Sequence, residues 1–397
     1  MIELVRGQFA DNGVLQLSLL VSHGLQAPEY FFKPYLLSLP KKFTTPLYWS
    51  KSDFDLIANE VSRYNAINSV RAAMMLFVRS VQTLVRVRKE SKMTSKGARN
   101  NPLIMNNLSW DLFRWSMSVV MTRQNLIPYE DLMSSEIKQS HTLIPIWDVM
   151  NHENGNMTTS FDPELDGLEY KAMRDFEEGS EVSMHYGNRS NEQFLIYSGF
   201  VPNSTNGGDE FVFILNIPRS DDLTKIRDVI IGKYVQLVKP YRSYDIVRAP
   251  GMFGVHLKRT DVAYCLSDAL FAGVAAIASK EELVSIMRLT EDYVNYITIA
   301  SMPGENRCSS SVEKIVDFVQ QGKMDKEFVS RGLQWVYEQG SKINDEVKLT
   351  EELYMQASCA EIGVFIRLLN IGHTQMVENF TSFLLETIPK FAAVTLM

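Results

Sequence analysis

The chain has 397 residues, a net charge of −7, a pI near 5.5, 45% hydrophobic and 22% charged residues. That is ordinary globular composition, enough for two or three domains and for a core that needs no covalent staples. The absence of a basic tail or Lys/Arg stripe argues against nucleic acid as a partner. The three scattered cysteines Cys265, Cys308 and Cys359 argue against a disulfide framework and fit a reducing compartment. The start, MIELVRGQFADNG, is acidic where a signal peptide would be basic, and the longest small-apolar run, ALFAGVAAIA, is too short to span a bilayer. The expectation is a monomer of the cytosol, with the nucleus as a second compartment, and no membrane partner.

Residues 1 to about 90 read as helical. SDFDLIANEVSRYNAINSVRAAMMLFVRSVQTLVRV offers Ser52 as an N-cap and apolar positions at helical spacing. KMTSKGARNNP, 92–102, reads as an exposed loop, after which Ser109 caps SWDLFRWSMSVVM, whose Phe113, Met117, Val120 and Met121 share one face. From His141 to Tyr186 the segments are short and β-like. LIPIW is a strand candidate, MTTSFD and LEYKAM form a hairpin about PELDG, RDFEEGS is a turn, and EVSMHY is another strand. Ser190 to Gln193 has capping-box spacing, and the short helix EQFLIYS beyond it ends at Gly199. NSTNGGDE, 203–210, reads as a linker. Beyond it, apart from FVFILNI, the chain reads as helices to its end, without repeats or low-complexity tracts.

The chemistry-bearing residues fall in three pieces: MTRQN (121–125), WDVMNH (147–152) and HYGNRSNEQFLIYSGF (185–200). Each alone has a bland explanation, with Arg123 a surface charge, Asn151 a turn residue and Tyr186 a strand aromatic. Together they place polar and aromatic groups at the edge of a core, where each costs free energy unless paired. His141, His152 and His185 have no metal-ligand spacing, so no metal is expected. No nucleotide-binding or hydrolase motif is present.

An N-H pair after one β-like segment and a Y-G closing another resemble the C-terminal half of the SET-domain protein methyltransferases. MTRQN-IP, LIPIWD-NH-NG and YG-RSN-F-SGF are similar to a histidine-modifying branch of that family, and the region after 210 looks like the substrate-binding domain of the Rubisco-methyltransferase type. The resemblance implies an α+β chain: a split SET β-core within 1–202, with a helical insert over about 1–140 and the C-terminal SET half over about 141–202. An all-α substrate-binding domain would occupy 211–397. The resemblance also implies S-adenosylmethionine as cofactor and transfer of its methyl group to a protein histidine, with actin as the protein partner. By motif position, Arg123, Asp148, Val149, Met150, Asn151, His152, Ser198, Gly199 and Phe200 would contact the cofactor. Tyr186 would be the active-site tyrosine and Asn125 the amide that orients the imidazole; Trp147 and Arg189 would line the peptide groove with Asn125.

Two alternatives stay open. A protein-lysine methyltransferase would sit better with an apolar or aromatic residue in place of Asn125. A catalytically impaired peptide-binding remnant is the other, because the family's first SET strands carry a G-x-G turn that does not follow the start here. The expectation from that departure is a truncated gene model lacking the N-terminal strands, rather than a functional short form.

Overall fold

The structure, a computed structural model, describes residues 12–91, 108–131, 136–156, 159–162, 164–165, 167–202, 205–241, 248–261, 266–299, 307–346 and 354–392. The chain divides into two compact units. The first comprises Met1–Leu56, Arg63–Thr205 and Met355–Ile366; the second comprises Ile57–Ser62, Asn206–Tyr354 and Arg367–Met397.

The first unit opens with helix α1 (Gly13–Gln26), which Asn12 caps through its side chain to the Leu15 amide at 2.8 Å. Short helices α2 (Lys33–Ser38) and α3 (Lys51–Asp55) precede the long α4 (Glu60–Ser91). The single helix expected from Ser52 is therefore two. Ser50, not Ser52, caps α3 in a reciprocal box with Asp53, and Asn59 restarts the chain by accepting the Ser62 amide at 2.9 Å. Helix α5 (Trp110–Arg123) begins at Ser109 as expected and buries Phe113, Met117 and Val120, with Met121 partly covered. It packs on α1 through small polar contacts, including Ser22 to Ser116 at 2.8 Å. The 92–102 segment and the Met157–Thr158 start of the first hairpin arm lie outside the described residues.

The β-structure begins earlier than the sequence suggests. β1 (Asn125–Asp131) and β2 (Glu136–Thr142) pair antiparallel with Asn125 opposite Thr142. LIPIW is not a strand. Pro145 has no N–H to give a ladder, and the exposed Ile146 takes φ 75°, which a β-branched residue adopts only under constraint. That turn swings Trp147–Val149 into one 3-10 turn, leading to β3 (Asn151–His152). The predicted hairpin exists as β4 (Thr159–Asp162) and β5 (Gly167–Tyr170), and β6 (Ser183–Met184) pairs parallel with β3. Ser190 and Gln193 form the expected capping box, opening α6 (Asn191–Gln193), which continues as a π turn over Phe194–Ser198 and ends at Gly199 in the left-handed conformation, φ 79°.

The second unit is not all-α. β7 (Glu210–Asn216), β8 (Arg248–Ala249) and β9 (Met252–Lys258) form a sheet in the order β7-β9-β8, antiparallel throughout. The missed strand, MFGVHLK, is short and buried along most of its length, where periodicity alone cannot separate strand from buried helix. The expected linker is also partly interior: Asp209 is buried and pairs with Arg259 at 3.2 Å. Around the sheet run α7 (Thr224–Val238), α8 (Leu266–Ile277), α9 (Lys280–Ile299), α10 (Arg307–Gln320), α11 (Lys326–Glu346) and α12 (Ala360–Ala392), the last of which starts in the first unit.

Helix α8 is buried along almost its whole length, so its packing depends on small residues. At its crossing with α11 a Cβ added at Gly273 would stand 2.3 Å from the Gly332 carbonyl oxygen, and one at Gly332 would stand 2.9 Å from the Val274 nitrogen. Backbone cannot yield as a flexible side chain can. Gly273→Ala gains about 1 kcal/mol of helix propensity but overpacks this crossing at about 1–3 kcal/mol. The expected result is a lowered melting temperature in calorimetry, whereas a raised one would show that the two helices separate without cost.

Candidate active site

The site is organised by the two-residue parallel pairing of β3 and β6, in which Asn151 lies opposite Ser183 and His152 opposite Met184. The Glu153 amide extends the ladder to the Met184 carbonyl at 3.0 Å. This register brings the segment after β6 against His152: the Tyr186 amide donates to His152 Nδ1 at 3.2 Å, and the Tyr186 hydroxyl donates to the Met150 carbonyl at 2.7 Å. With Nδ1 accepting, the imidazole proton sits on Nε2, which donates to Asn154 Oδ1 at 2.9 Å. Burial pushes the His152 pKa below its ordinary value, so the ring is a neutral structural clamp.

Around that clamp lies an aromatic cluster. The His152 ring centroid is 4.6 Å from Phe194, 5.3 Å from Tyr186, 5.5 Å from His185 and 6.1 Å from Phe200. Tyr186 meets Phe200 edge-on at 6.3 Å. Gly199 makes this possible. Its positive φ turns the chain from the π turn into Phe200, its carbonyl accepts from the Thr44 hydroxyl, and a Cβ there would lie 2.8 Å from Thr44 Oγ1.

Beside the aromatics stand buried charges. Asp148 is 5% exposed; its Oδ2 accepts from the Tyr35 hydroxyl, and its Oδ1 has no hydrogen-bond partner among the described residues. Burial raises its pKa, against the lowering effects of the Tyr35 bond and the Arg123 charge. Arg123, the last residue of α5, likewise has a buried Nε without a partner. The Tyr186 phenol is pushed up by burial, partly offset by Arg123 and Arg189, and so stays protonated at neutral pH. Arg189 donates to Ser198 Oγ at 3.2 Å.

The structure therefore brings together Arg123, Asp148, His152, Tyr186, Arg189, Ser198, Gly199, Phe200 and the Met150 carbonyl. Other predicted side chains lie differently. Val149 is exposed, and Asn151 turns its amide to Glu181 at 2.5 Å, so that side chain is satisfied by protein. Trp147 meets Tyr170 edge-on at 6.3 Å, and Asn125, opening β1 two residues after Arg123, donates to the Arg123 carbonyl at 3.3 Å. Sequence reasoning missed Tyr35, Thr44 and Phe194. The only local signal for Tyr35 is the Lys-Pro-Tyr start of α2; its partner lies 113 residues away. Among the described residues no cluster of three or more His, Cys, Asp or Glu could hold a metal ion.

An unpartnered buried carboxylate oxygen and an unpartnered buried guanidinium nitrogen in one locality are costly in water-free surroundings. A ligand carrying both an ammonium and a carboxylate, as the amino-acid end of S-adenosylmethionine does, satisfies both, and the aromatic cluster offers apolar walls to the rest.

Comparison with known proteins bears on the fold. No family model matches the chain. The fold is that of the SET-domain methyltransferases: the crystal structure of the SET domain of LSMT bound to lysine and AdoHcy superposes with a TM-score of 0.60 at 12% identity, over 100% of this chain and 80% of that one. The structure of Rubisco LSMT bound to AdoMet gives 0.56 at 12% identity, over 99% and 79%. In sequence, the chain is 30% identical over 206 residues to the actin-histidine N-methyltransferase of Gallus gallus and 33% identical over 207 residues to that of Otolemur garnettii. Those stretches are 52% of this chain and span about a third, 32%, of the relatives' length.

Tyr35→Phe tests the buried carboxylate. Removing the hydroxyl takes from the buried carboxylate the bond that Tyr35 gives it, at an expected cost of about 1–3 kcal/mol when the group is ionised. Burial already raises the Asp148 pKa, so losing the bond raises it further. The destabilisation is thus full above that pKa and shrinks as falling pH protonates the group. Thermal melts of wild type and variant should diverge at pH 8 and converge toward pH 4; a pH-independent difference would rule out this role.

Proposed function

We propose that the protein is an S-adenosylmethionine-dependent protein-histidine N-methyltransferase acting on actin. The observation that carries the reading is the β3–β6 pairing, which gathers Asp148, His152 and Tyr186 beside Arg123 in a chain whose matched half is similar to enzymes of that name.

When bound, the cofactor supplies an electrophilic methyl group on a sulfonium. The chain's own groups do the rest. Asp148 and Arg123 hold the ammonium and carboxylate through their unpartnered atoms. Phe200 and the Ser198–Gly199 backbone flank the remainder and exclude water. The Tyr186 hydroxyl has its proton committed to the Met150 carbonyl, so its lone pairs are available to weak C–H donors, and as a neutral phenol it brings no repelling charge. Asn125 orients the acceptor ring: its amide hydrogen-bonds one imidazole nitrogen and leaves the other free to attack in line. Trp147 and Arg189 line the peptide path.

The acceptor's chemistry supports histidine. An imidazole, pKa about 6.5, is mostly neutral at pH 7, whereas neutralising a lysine of pKa about 10.4 costs roughly 4–5 kcal/mol. A site without an evident general base can serve the former by orientation alone. In the same reading residues 1–202 form the catalytic part, 211–397 grip the protein substrate, and the enzyme works as a monomer in the cytosol.

Two measurements test this. Calorimetric titration of S-adenosylmethionine should give saturable binding weakened about 10–100-fold by Asp148→Ala or Arg123→Ala, the loss of a charge-assisted bond; silence with the unaltered chain would favour a peptide-binding remnant. Mass spectrometry of an actin peptide after incubation should show one added methyl on histidine. Asn125→Phe should shift preference toward a lysine-bearing peptide, and unchanged histidine selectivity in that variant would count against the assigned role of Asn125.

A further inference from the structure

Helix α4 has two apolar faces. One, with Ala66, Ala73 and Leu84, is buried in the core of the first unit. The other is exposed: Tyr64, Ile67, Met74, Met75, Val78 and Val85 fall at helical spacing, mostly three or seven residues apart, with Met75 66% and Tyr64 63% accessible. A helix apolar on two sides has one side more than its own core uses. With Phe54 of α3 as the opposite wall, Ile67, Met74, Met75 and Val78 floor a groove of about 830 Å³.

The groove's charge selects its occupant. Helix α4 carries six basic residues and two acidic ones in a chain whose net charge is −7, a concentration that whole-chain composition conceals. Arg71 and Arg79 stand along the groove on either side of Met75, and Arg71 makes no ion pair among the described residues. The opposite rim, Lys51, is already paired with Asp55 at 2.5 Å. From Ile67 to Gln82 the groove runs about 22 Å, the length of a helix of about 15 residues.

We infer that this groove docks an acidic amphipathic helix of a partner protein, with apolar residues at i, i+3 or i+4 and i+7 on the methionines, and Glu or Asp meeting Arg71 and Arg79. Methionine suits such a floor because its flexible thioether adapts to different knobs. A second copy of this chain fits poorly. A two-fold pairing about Met75 would set Arg71 of one copy against Arg79 of the other. A bilayer would need a convex or flat face rather than a concave one, and nucleic acid would leave the apolar floor uncovered.

The test uses fluorescence anisotropy with a labelled synthetic helix of about 18 residues bearing a Leu stripe flanked by Glu, beside an otherwise identical helix with Lys in place of Glu. The Glu helix should bind the full chain roughly tenfold or more tighter than the Lys helix, and more weakly as salt rises. Arg71→Glu should weaken it about tenfold and Met75→Asp should abolish it. Both side chains are exposed, so the melting temperature should be unchanged and loss of binding is not loss of fold. Equal binding of the two helices, indifference to Arg71→Glu, tighter binding to phosphatidylserine vesicles or to duplex DNA than to the Glu helix, or dimerisation in sedimentation that Met75→Asp removes would each overturn the inference.

Discussion

Everything at the site depends on two residues of parallel strand. β3 and β6 exchange only the contacts that Asn151–His152 and Ser183–Met184 can make, yet their register sets where the chain leaving each strand is placed. A slip by one residue would carry the Tyr186 amide away from His152 Nδ1 and turn its ring to the opposite face. So short a ladder is weak, and side chains reinforce it. The Tyr170 hydroxyl donates to the Ser183 carbonyl at 2.7 Å, Ser183 Oγ donates to Glu153, and Arg174 holds Glu153 at 3.0 Å. The hairpin β4–β5 thus acts as a brace for β6, and the imidazole of His152 ties the strand end to the aromatic cluster.

The second constraint is electrostatic. Asp148 is buried and Arg123 half-buried, each with one polar atom lacking a hydrogen-bond partner among the described residues. No ion pair joins the two among the described residues, so each is a desolvated polar group that costs free energy as it stands. In the reading proposed above, the ligand satisfies both. Tyr35 donates the side-chain hydrogen bond that orients the carboxylate, from the first turn of a short helix opened by Lys33-Pro34.

The local devices of the fold were legible in the chain. Ser109 and Ser190 as caps, Gly199 as the left-handed stop and the pairing of β4 with β5 each depend on neighbours within a few residues, where chemistry and spacing suffice. What escaped is decided by distant contacts. LIPIW has the apolar content of a strand, but Pro145 and the turn at Ile146 divert it to carry Asp148 inward. NLIPYED becomes a strand only with EIKQSHT laid beside it, and MFGVHLK because β7 offers it a ladder. The site shows the same division. Asp148, His152 and Tyr186 stand out as polar groups at a core edge, while Tyr35 and Thr44 are visible only once the chain has brought them across more than a hundred residues.

The same charges bear on the choice of acceptor. Arg123 and Arg189 both act on Tyr186 across a partly desolvated space, where Coulomb interactions are several times stronger than in water. In the proposed reaction Arg123 is engaged by the cofactor, and the Arg189 charge beside Tyr186 opposes a protonated amine more than it does a neutral imidazole. The acceptor must arrive uncharged and correctly turned, and the orienting amide proposed at Asn125 favours the ring that is already neutral.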